Sequence, residues 1–183
     1  MTVRAASARE LSLVGTSGTS AHPTLYGVTF AYGSNSDAVQ MRARCPGATN
    51  LGLVRIAGYR LEFFGALDLE PDPAGTVVAV AWRLDPHDER ALDHHEGANR
   101  HPDPSYRKVP LAAALPDGTP LHGFAYVMTP PRRARDPRAP APDYLARVLA
   151  GYEHHGIVPA DVHAAHARTH AAPLGTACAP PPP

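Results

Sequence analysis

One stretch near residue 30 narrows the possible folds more than any other, because it joins a strand pattern to a helix pattern through a tight turn. Tyr26, Val28 and Phe30 alternate with smaller residues, as in a half-buried β-strand. Gly-Ser-Asn at residues 33–35 ends the alternation, and the apolar spacing after it predicts a short helix over about residues 35–43. The first strand is therefore expected to lead through this turn directly into a helix.

The turn between them has the chemistry of a binding loop. Ser34, Asn35 or Ser36 is placed to cap the helix, since each side chain has an oxygen that accepts an unpaired helical N–H. Gly33 lets the backbone approach a ligand closely, and the N–H groups of a first helical turn point at any anionic or carbonyl oxygen there. The loop from Tyr32 to Asn35 is therefore predicted to hold an anionic group or an oxyanion, a role compatible with plain helix capping.

Further strand patterns follow, over residues 48–64, 76–84, 106–115 and 121–128. Gly58 predicts a bend in the first of these, which is one long strand or two short ones. Residues 71–75 read Pro-Asp-Pro-Ala-Gly and predict a turn, and Asp117-Gly118 predicts a hairpin between the last two strands.

Helices are predicted over about residues 86–96, 142–152 and 160–170. The first of them has Asp85 as its N-cap, Pro86 at its first position and Gly97 as its C-cap. The Pro- and Arg-rich residues 129–142 predict a loop. Dominant strands with clustered helices indicate an α+β fold, and the patterns alone do not choose between an open sheet and a barrel.

The charge balance argues against a polyanion-binding protein. The 183 residues carry 17 basic and 17 acidic side chains, whereas a nucleic-acid surface needs a clustered basic excess. The run Arg132-Arg133-Ala134-Arg135, with Arg138, lies among prolines and predicts a solvated loop rather than a phosphate site. We expect no nucleic-acid partner.

A single cytoplasmic domain without a membrane partner is expected. Residues 1–24 and 171–183 are predicted to be disordered tails around a domain at 25–170, because the first is aperiodic and polar and the second ends in four prolines. No apolar run approaches the ~20 residues of a membrane span, and the first tail lacks a signal-peptide core. Cys45 and Cys178 have no motif spacing, which is typical of free thiols.

Four short segments, in order, resemble the γ-glutamylcyclotransferase-like family, also called the AIG2-like family. They are Tyr-Gly-Ser-Asn at 32–35, Gly-Tyr-Arg-Leu at 58–61, Leu-Asp-His-His-Glu-Gly at 92–97, and the Tyr-containing helix before Gly-Ile-Val-Pro at 156–159. The resemblance covers about residues 25–160. Ser36, where the family usually has an apolar residue, and one extra residue near Val158 depart from the family pattern.

The resemblance implies a small mixed β-barrel with helices packed outside. It also implies an internal acyl transfer, in which the α-amine of a γ-glutamyl amide attacks its own γ-carbonyl, forms 5-oxoproline and expels an amine or amino acid. Glu96 is the implied catalytic acid and base, since a buried carboxylate can take a proton from the ammonium and return one to the leaving nitrogen. A small-molecule γ-glutamyl substrate is the expected partner, and the oligomeric state is not predicted.

The implied substrate-binding residues are the loop Tyr32, Gly33, Ser34 and Asn35 and the pocket tyrosines Tyr126 and Tyr144, with Tyr106 as a further candidate. The loop N–H groups are suited to the oxyanion, to the substrate α-carboxylate, or to both. Of the 11 histidines, His163, His166 and His170 share one helical face, but no zinc-finger or His-Glu-x-x-His spacing occurs. We expect no metal and no cofactor.

Two other hypotheses about the function remain open. A non-catalytic module of the same fold would bind a glutamyl or carboxylate ligand, and a hydrolase of a related amide would release glutamate. Within the enzyme reading, the leaving group is an amino acid, an amine, or a natural-product intermediate protected by a γ-glutamyl group. Residues 129–142 are expected to vary with that group.

Overall fold

The computed structural model describes residues 27–135 and 139–171. The tail predicted at 1–24 lies outside the described residues, as do Arg138, Cys178 and, apart from Ala171, the tail predicted at 171–183. In the described part of the chain, no helix is long and apolar enough to cross a membrane.

Five strands form a closed barrel. They are β1 (Val28–Ala31), β2 (Thr49–Phe64), β3 (Ala66–Arg83), β4 (Tyr106–Ala114) and β5 (Pro120–Met128). Their order around the barrel is β1-β3-β2-β4-β5, and β1 lies parallel to β5 while the other neighbours are antiparallel. The mixed barrel implied by the family resemblance is confirmed, and an open sheet is excluded.

Helices pack outside the barrel. They are α1 (Ala38–Arg44), α2 (Pro86–Glu96), α3 (Pro130–Arg135), α4 (Pro142–His154) and α5 (Ala160–Ala171). Helix α2 begins and ends as predicted: Asp85 Oδ1 accepts the N–H groups of His87 and Asp88, and Gly97 follows the last residue with φ +62°. These caps fix Glu96 at the C-terminal end of α2.

The predicted cap of the first helix is wrong. Residues 34–36 form a short 3-10 helix of their own, and α1 begins after it with Asp37 as its N-cap. Asp37 Oδ1 accepts the N–H of Val39 at 2.9 Å. The side chains of Ser34, Asn35 and Ser36 are therefore not used to cap α1.

The turn predicted at residues 71–75 is also wrong, because β3 continues through it. Ala57 lies opposite Thr76 and Tyr59 lies opposite Pro71, so residues 72–75 bulge from β3 opposite Gly58, which has φ +83°. Asp72 supplies the local turn chemistry that the composition suggested, since its Oδ1 accepts the N–H of Ala74. The segment 48–64 is one long strand rather than two short ones.

The basic run does not form a solvated loop. Residues 130–135 are helix α3, and Arg133 reaches from it to β3, where its Nε lies 2.6 Å from Asp68 Oδ2 and its Nη1 2.7 Å from Glu70 Oε2. Asp68 is fully buried, and burial raises its pKa, although the Met128 N–H and Arg133 lower it in part. Arg133 is therefore the partner that makes a buried carboxylate tolerable.

Replacing Arg133 with Met is expected to lower the free energy of unfolding by about 3 kcal/mol, because it leaves the Asp68 carboxylate buried and unpaired. Urea denaturation checks this, with Arg107→Met, an exposed arginine on β4, as the control expected to change stability by less than about 0.5 kcal/mol. The double variant Asp68→Asn/Arg133→Met should recover part of the loss. An Arg133→Met protein as stable as the control would contradict this account.

Candidate active site

A cavity opens where β1 runs into the loop at residues 32–35. Its walls come from β1, β5, the C-terminal end of α2 and helix α4, and its lining residues are Thr29, Phe30, Ala31, Tyr32, Gly33, Ser34, Asn35, Leu67, Glu96, Tyr106, Tyr126 and Tyr144. All seven site residues predicted from the sequence line this cavity, together with the further candidate Tyr106. The structure thus brings together residues that are far apart along the chain.

Glu96 is the acidic side chain of this lining, and only 13% of it is exposed. Its Oε1 accepts hydrogen bonds from Asn35 Nδ2 at 2.8 Å and from Arg44 Nη1 at 3.2 Å. Within the described residues, its Oε2 accepts none. Burial raises the pKa of Glu96, and the Asn35 hydrogen bond and the Arg44 charge lower it in part. The raised pKa makes this carboxylate a stronger base than an exposed glutamate, and the protonated form can return the proton.

Ser36, the residue that departs from the family pattern, binds the loop by hydrogen bonds. Ser36 is fully buried, and both its N–H and its hydroxyl donate to the Gly33 carbonyl, at 3.0 and 2.8 Å. Helix α4 packs directly on it at Gly151, where a Cβ would lie 2.5 Å from Ser36 Oγ. The departure therefore has a structural role, because the buried hydroxyl donates a hydrogen bond to a carbonyl of the loop.

Two of the pocket tyrosines use their hydroxyl groups for structure. The Tyr32 hydroxyl donates to the Tyr126 carbonyl at 2.5 Å and lies 3.3 Å from Asp68 Oδ1. The Tyr126 hydroxyl donates to Asp93 Oδ1 at 2.7 Å. Both rings therefore line the cavity, but their hydroxyl groups already have acceptors within the protein.

The other two tyrosines are differently placed. The Tyr144 hydroxyl accepts the N–H of Leu67 at 3.1 Å, which leaves its own proton free to be donated. Burial raises the pKa of Tyr144 to about 12, so the phenol is neutral at physiological pH. The Tyr106 hydroxyl makes no hydrogen bond to another described residue, and burial raises its pKa as well. Tyr106 and Tyr144 are the tyrosines that can donate a hydrogen bond to a ligand.

Sequence reasoning missed four polar residues behind the cavity wall. They are Gln40, Arg44, Asp68 and Asp93. A helical signal was present for three of them. Gln40 and Arg44 are four residues apart on α1, and Asp93 precedes Glu96 by three residues on α2, so each of these pairs shares a helix face. Asp68 had no such signal, because its place depends on the register of β3.

One group of possible metal ligands occurs among the described residues, at Asp85, His87 and Asp88. It lies at the opposite end of α2 from Glu96. Asp85 Oδ1 already accepts the N–H groups of the other two residues as the helix cap. The histidines predicted to share a face do so in part, since the rings of His166 and His170 are 5.0 Å apart.

Comparisons with known proteins identify the family and the fold. The sequence profile of the family described as gamma-glutamyl cyclotransferase, AIG2-like, matches residues 29–146. No curated protein matches the sequence. A solved structure named gamma-glutamyl cyclotransferase has the same fold, with a TM-score of 0.61 and 20% identity over 84% of this chain and 91% of that one.

Two other solved structures share the fold. An uncharacterized human protein has a TM-score of 0.62 and 20% identity, over 84% of this chain and 91% of its own. The protein YkqA of Bacillus subtilis has a TM-score of 0.62 and 19% identity, but the match covers 81% of this chain and only 55% of that one. At these identities the likeness establishes the fold.

The raised pKa of Glu96 gives a prediction about stability. The folded state binds the Glu96 proton more tightly than the unfolded state, whose pKa is 4.5, so the contribution of Glu96 to stability falls as pH rises through and above that value. The Glu96→Gln variant should therefore gain free energy of unfolding relative to the wild type between about pH 4 and about pH 7.

Urea denaturation at several pH values measures this difference. Glu153→Gln, which changes an exposed glutamate of α4, serves as the control and should show no comparable gain. A Glu96→Gln variant that instead loses stability relative to the wild type as pH rises would mean that Asn35 and Arg44 outweigh burial.

Proposed function

The chain belongs to the gamma-glutamyl cyclotransferase, AIG2-like family, and from that premise we propose that it converts a γ-glutamyl amide into 5-oxoproline and a free amine or amino acid. One observation supports this above the others: a carboxyl group buried at the end of a capped helix lines a tyrosine-walled cavity together with the Gly-Ser-Asn loop, whose Asn35 donates a hydrogen bond to it. We also propose that the protein is located in the cytoplasm.

Glu96 is the proposed proton carrier. Its free Oε2 removes a proton from the substrate α-ammonium, and the amine then attacks the γ-carbonyl carbon. A new N–C bond forms, and the carbonyl electron pair moves onto oxygen. When the intermediate collapses, the old C–N bond breaks and Glu96 returns its proton to the leaving nitrogen. The attacking nitrogen gives up its second proton to the released amine, which leaves as an ammonium. One carboxyl group serves in both steps, because a raised pKa strengthens the carboxylate as a base and its protonated form is an acid.

The loop at residues 32–35 supplies the proposed anion contacts. Its backbone N–H groups are suited to the oxyanion of the intermediate, to the substrate α-carboxylate, or to both, and one preorganised donor of this kind is worth about 3 kcal/mol. The rings of Tyr32 and Tyr126 wall the cavity and favour a folded glutamyl chain, which brings the amine near its own carbonyl. Tyr106 and Tyr144 donate the side-chain hydrogen bonds.

The leaving group is proposed to lie toward residues 129–142. Helix α3, within this segment, is held by Arg133 on the strand that also contributes Leu67 to the cavity. An amino acid, a simple amine and a natural-product intermediate protected by a γ-glutamyl group are the candidate leaving groups. In each, the bond broken is the same γ-amide.

The reaction is tested by incubating the protein with a panel of γ-glutamyl amino acids and γ-glutamyl-amines and identifying the products by mass spectrometry. The wild type is expected to release 5-oxoproline, and Glu96→Gln to lose at least about 100-fold in kcat. Glu153→Gln is the matched control and should retain activity.

Two other outcomes would replace this proposal. Glutamate as the first product would identify a hydrolase. The absence of turnover, together with a higher Tm in the presence of a γ-glutamyl compound, would identify a binding module of the same fold.

The hydroxyl groups of Tyr144 and Tyr126 should contribute unequally. Tyr144→Phe removes a donor that faces the substrate, whereas Tyr126→Phe removes a donor already bound to Asp93, which retains Lys108 as a partner. We expect Tyr144→Phe to lower kcat/KM about ten-fold and Tyr126→Phe to lower it less. Equal losses in steady-state kinetics would contradict this division.

A further inference from the structure

The Oε1 atom of Glu96 belongs to a hydrogen-bond network that begins on α1. Arg44 Nη1 donates to Asn35 Oδ1 at 2.7 Å as well as to Glu96 Oε1 at 3.2 Å. Gln40 Nε2 donates to the same Asn35 Oδ1 at 3.1 Å and to Ser34 Oγ at 3.0 Å. The loop and the acidic residue are therefore both tied to one face of α1.

This network allows only one orientation of the Asn35 side-chain amide. Its oxygen receives two donors, from Arg44 and Gln40, so its NH₂ group faces Glu96. In the flipped orientation the amide oxygen would face the carboxylate and the NH₂ would face the guanidinium, which is unfavourable at both ends. Arg44 thus determines which end of Asn35 meets Glu96.

The two oxygens of Glu96 are made unequal by the same contacts. Oε1 accepts hydrogen bonds from Asn35 and Arg44, and both bonds are charge-assisted when Glu96 is ionised. Oε2 receives no hydrogen bond from a described residue. We propose that Arg44 is a positioning residue that orients Asn35 and binds Glu96 Oε1, so that Oε2 is the oxygen that exchanges protons with the substrate.

This inference rests on the proposed cyclotransferase reaction, but the coupling of Arg44 to Glu96 is measurable without turnover. Other titratable groups influence Glu96 or Arg44: Tyr32, Tyr106, Tyr126 and Tyr144 around the cavity, Cys45 after α1 and His95 on α2. The tyrosines and the cysteine are neutral near pH 7, because burial raises their pKa values, and burial lowers the pKa of His95. Among these groups, Arg44 is therefore the one whose removal should raise the pKa of Glu96 most.

Arg44→Met tests the proposal in steady-state kinetics. It should lower kcat by about ten-fold or more with KM changed less than about three-fold, because it disturbs the proton carrier and not the substrate contacts. The acid limb of the kcat profile should move to higher pH, since the ionised form of Glu96 loses a favourable charge. Arg42→Met, an exposed arginine on α1, is the matched control and should leave both unchanged.

Arg44→Lys separates charge from geometry. The ammonium keeps the positive charge but lacks the planar fork that reaches Asn35 and Glu96 together. It should restore the acid limb toward its wild-type position while recovering only part of kcat. This variant also keeps the test usable if Arg44→Met fails to fold. A kcat within about two-fold of wild type in either folded variant, or an acid limb that does not move in Arg44→Met, would overturn the proposal.

A protein without cyclotransferase activity would disprove the proposed function, and a second measurement would still test Arg44. The pH-dependent gain in stability caused by Glu96→Gln should be larger when residue 44 is Met than in the wild-type background, because the positive charge that favours the ionised Glu96 is gone, and intermediate when it is Lys. An equal gain in all backgrounds would overturn the role assigned to Arg44.

Discussion

Closure of the barrel by β1 is the constraint on which the site depends. This short strand is antiparallel to β3 and parallel to β5, with Thr29 opposite Phe124. Its last residues run directly into the loop, so any shift of register would move the loop relative to Tyr126. The hydrogen bond from the Tyr32 hydroxyl to the Tyr126 carbonyl fixes the two strands at this point. A rigid barrel end thus becomes one wall of the cavity.

Acidic groups beside the cavity are each matched by a cation from another element. Glu96 is bound by Arg44 from α1, Asp68 by Arg133 from α3, and Asp93 by Lys108 from β4. Removing one partner of such a pair leaves the other charge buried and unpaired, which destabilises the fold. These contacts therefore fix the paired elements in place relative to one another. Asp93 accepts the hydrogen bond of the Tyr126 hydroxyl, and Asp68 lies 3.3 Å from the Tyr32 hydroxyl, whereas Glu96 Oε2 accepts no hydrogen bond from a described residue.

Local signals in the sequence predicted much of this arrangement. The caps at Asp85 and Gly97 located the end of α2, and the Gly-Ser-Asn turn located the loop, because each depends on residues adjacent in the chain. The resemblance to the family supplied the role of Glu96, which spacing alone did not. Where long-range pairing decides the outcome, local patterns failed: Pro-Asp-Pro-Ala-Gly forms a bulge because β2 continues opposite it, and Arg133 is ion-paired because α3 lies over β3.

Isotope labelling tests the central claim most directly. When a γ-glutamyl substrate is turned over in water enriched in ¹⁸O, an attack by its own amine brings no solvent oxygen into the product. The account predicts 5-oxoproline without ¹⁸O at the ring carbonyl. Incorporation of ¹⁸O into the γ-carbonyl carbon of the product, as glutamate or as 5-oxoproline formed from it, would show that water is the nucleophile and would contradict the role proposed for Glu96.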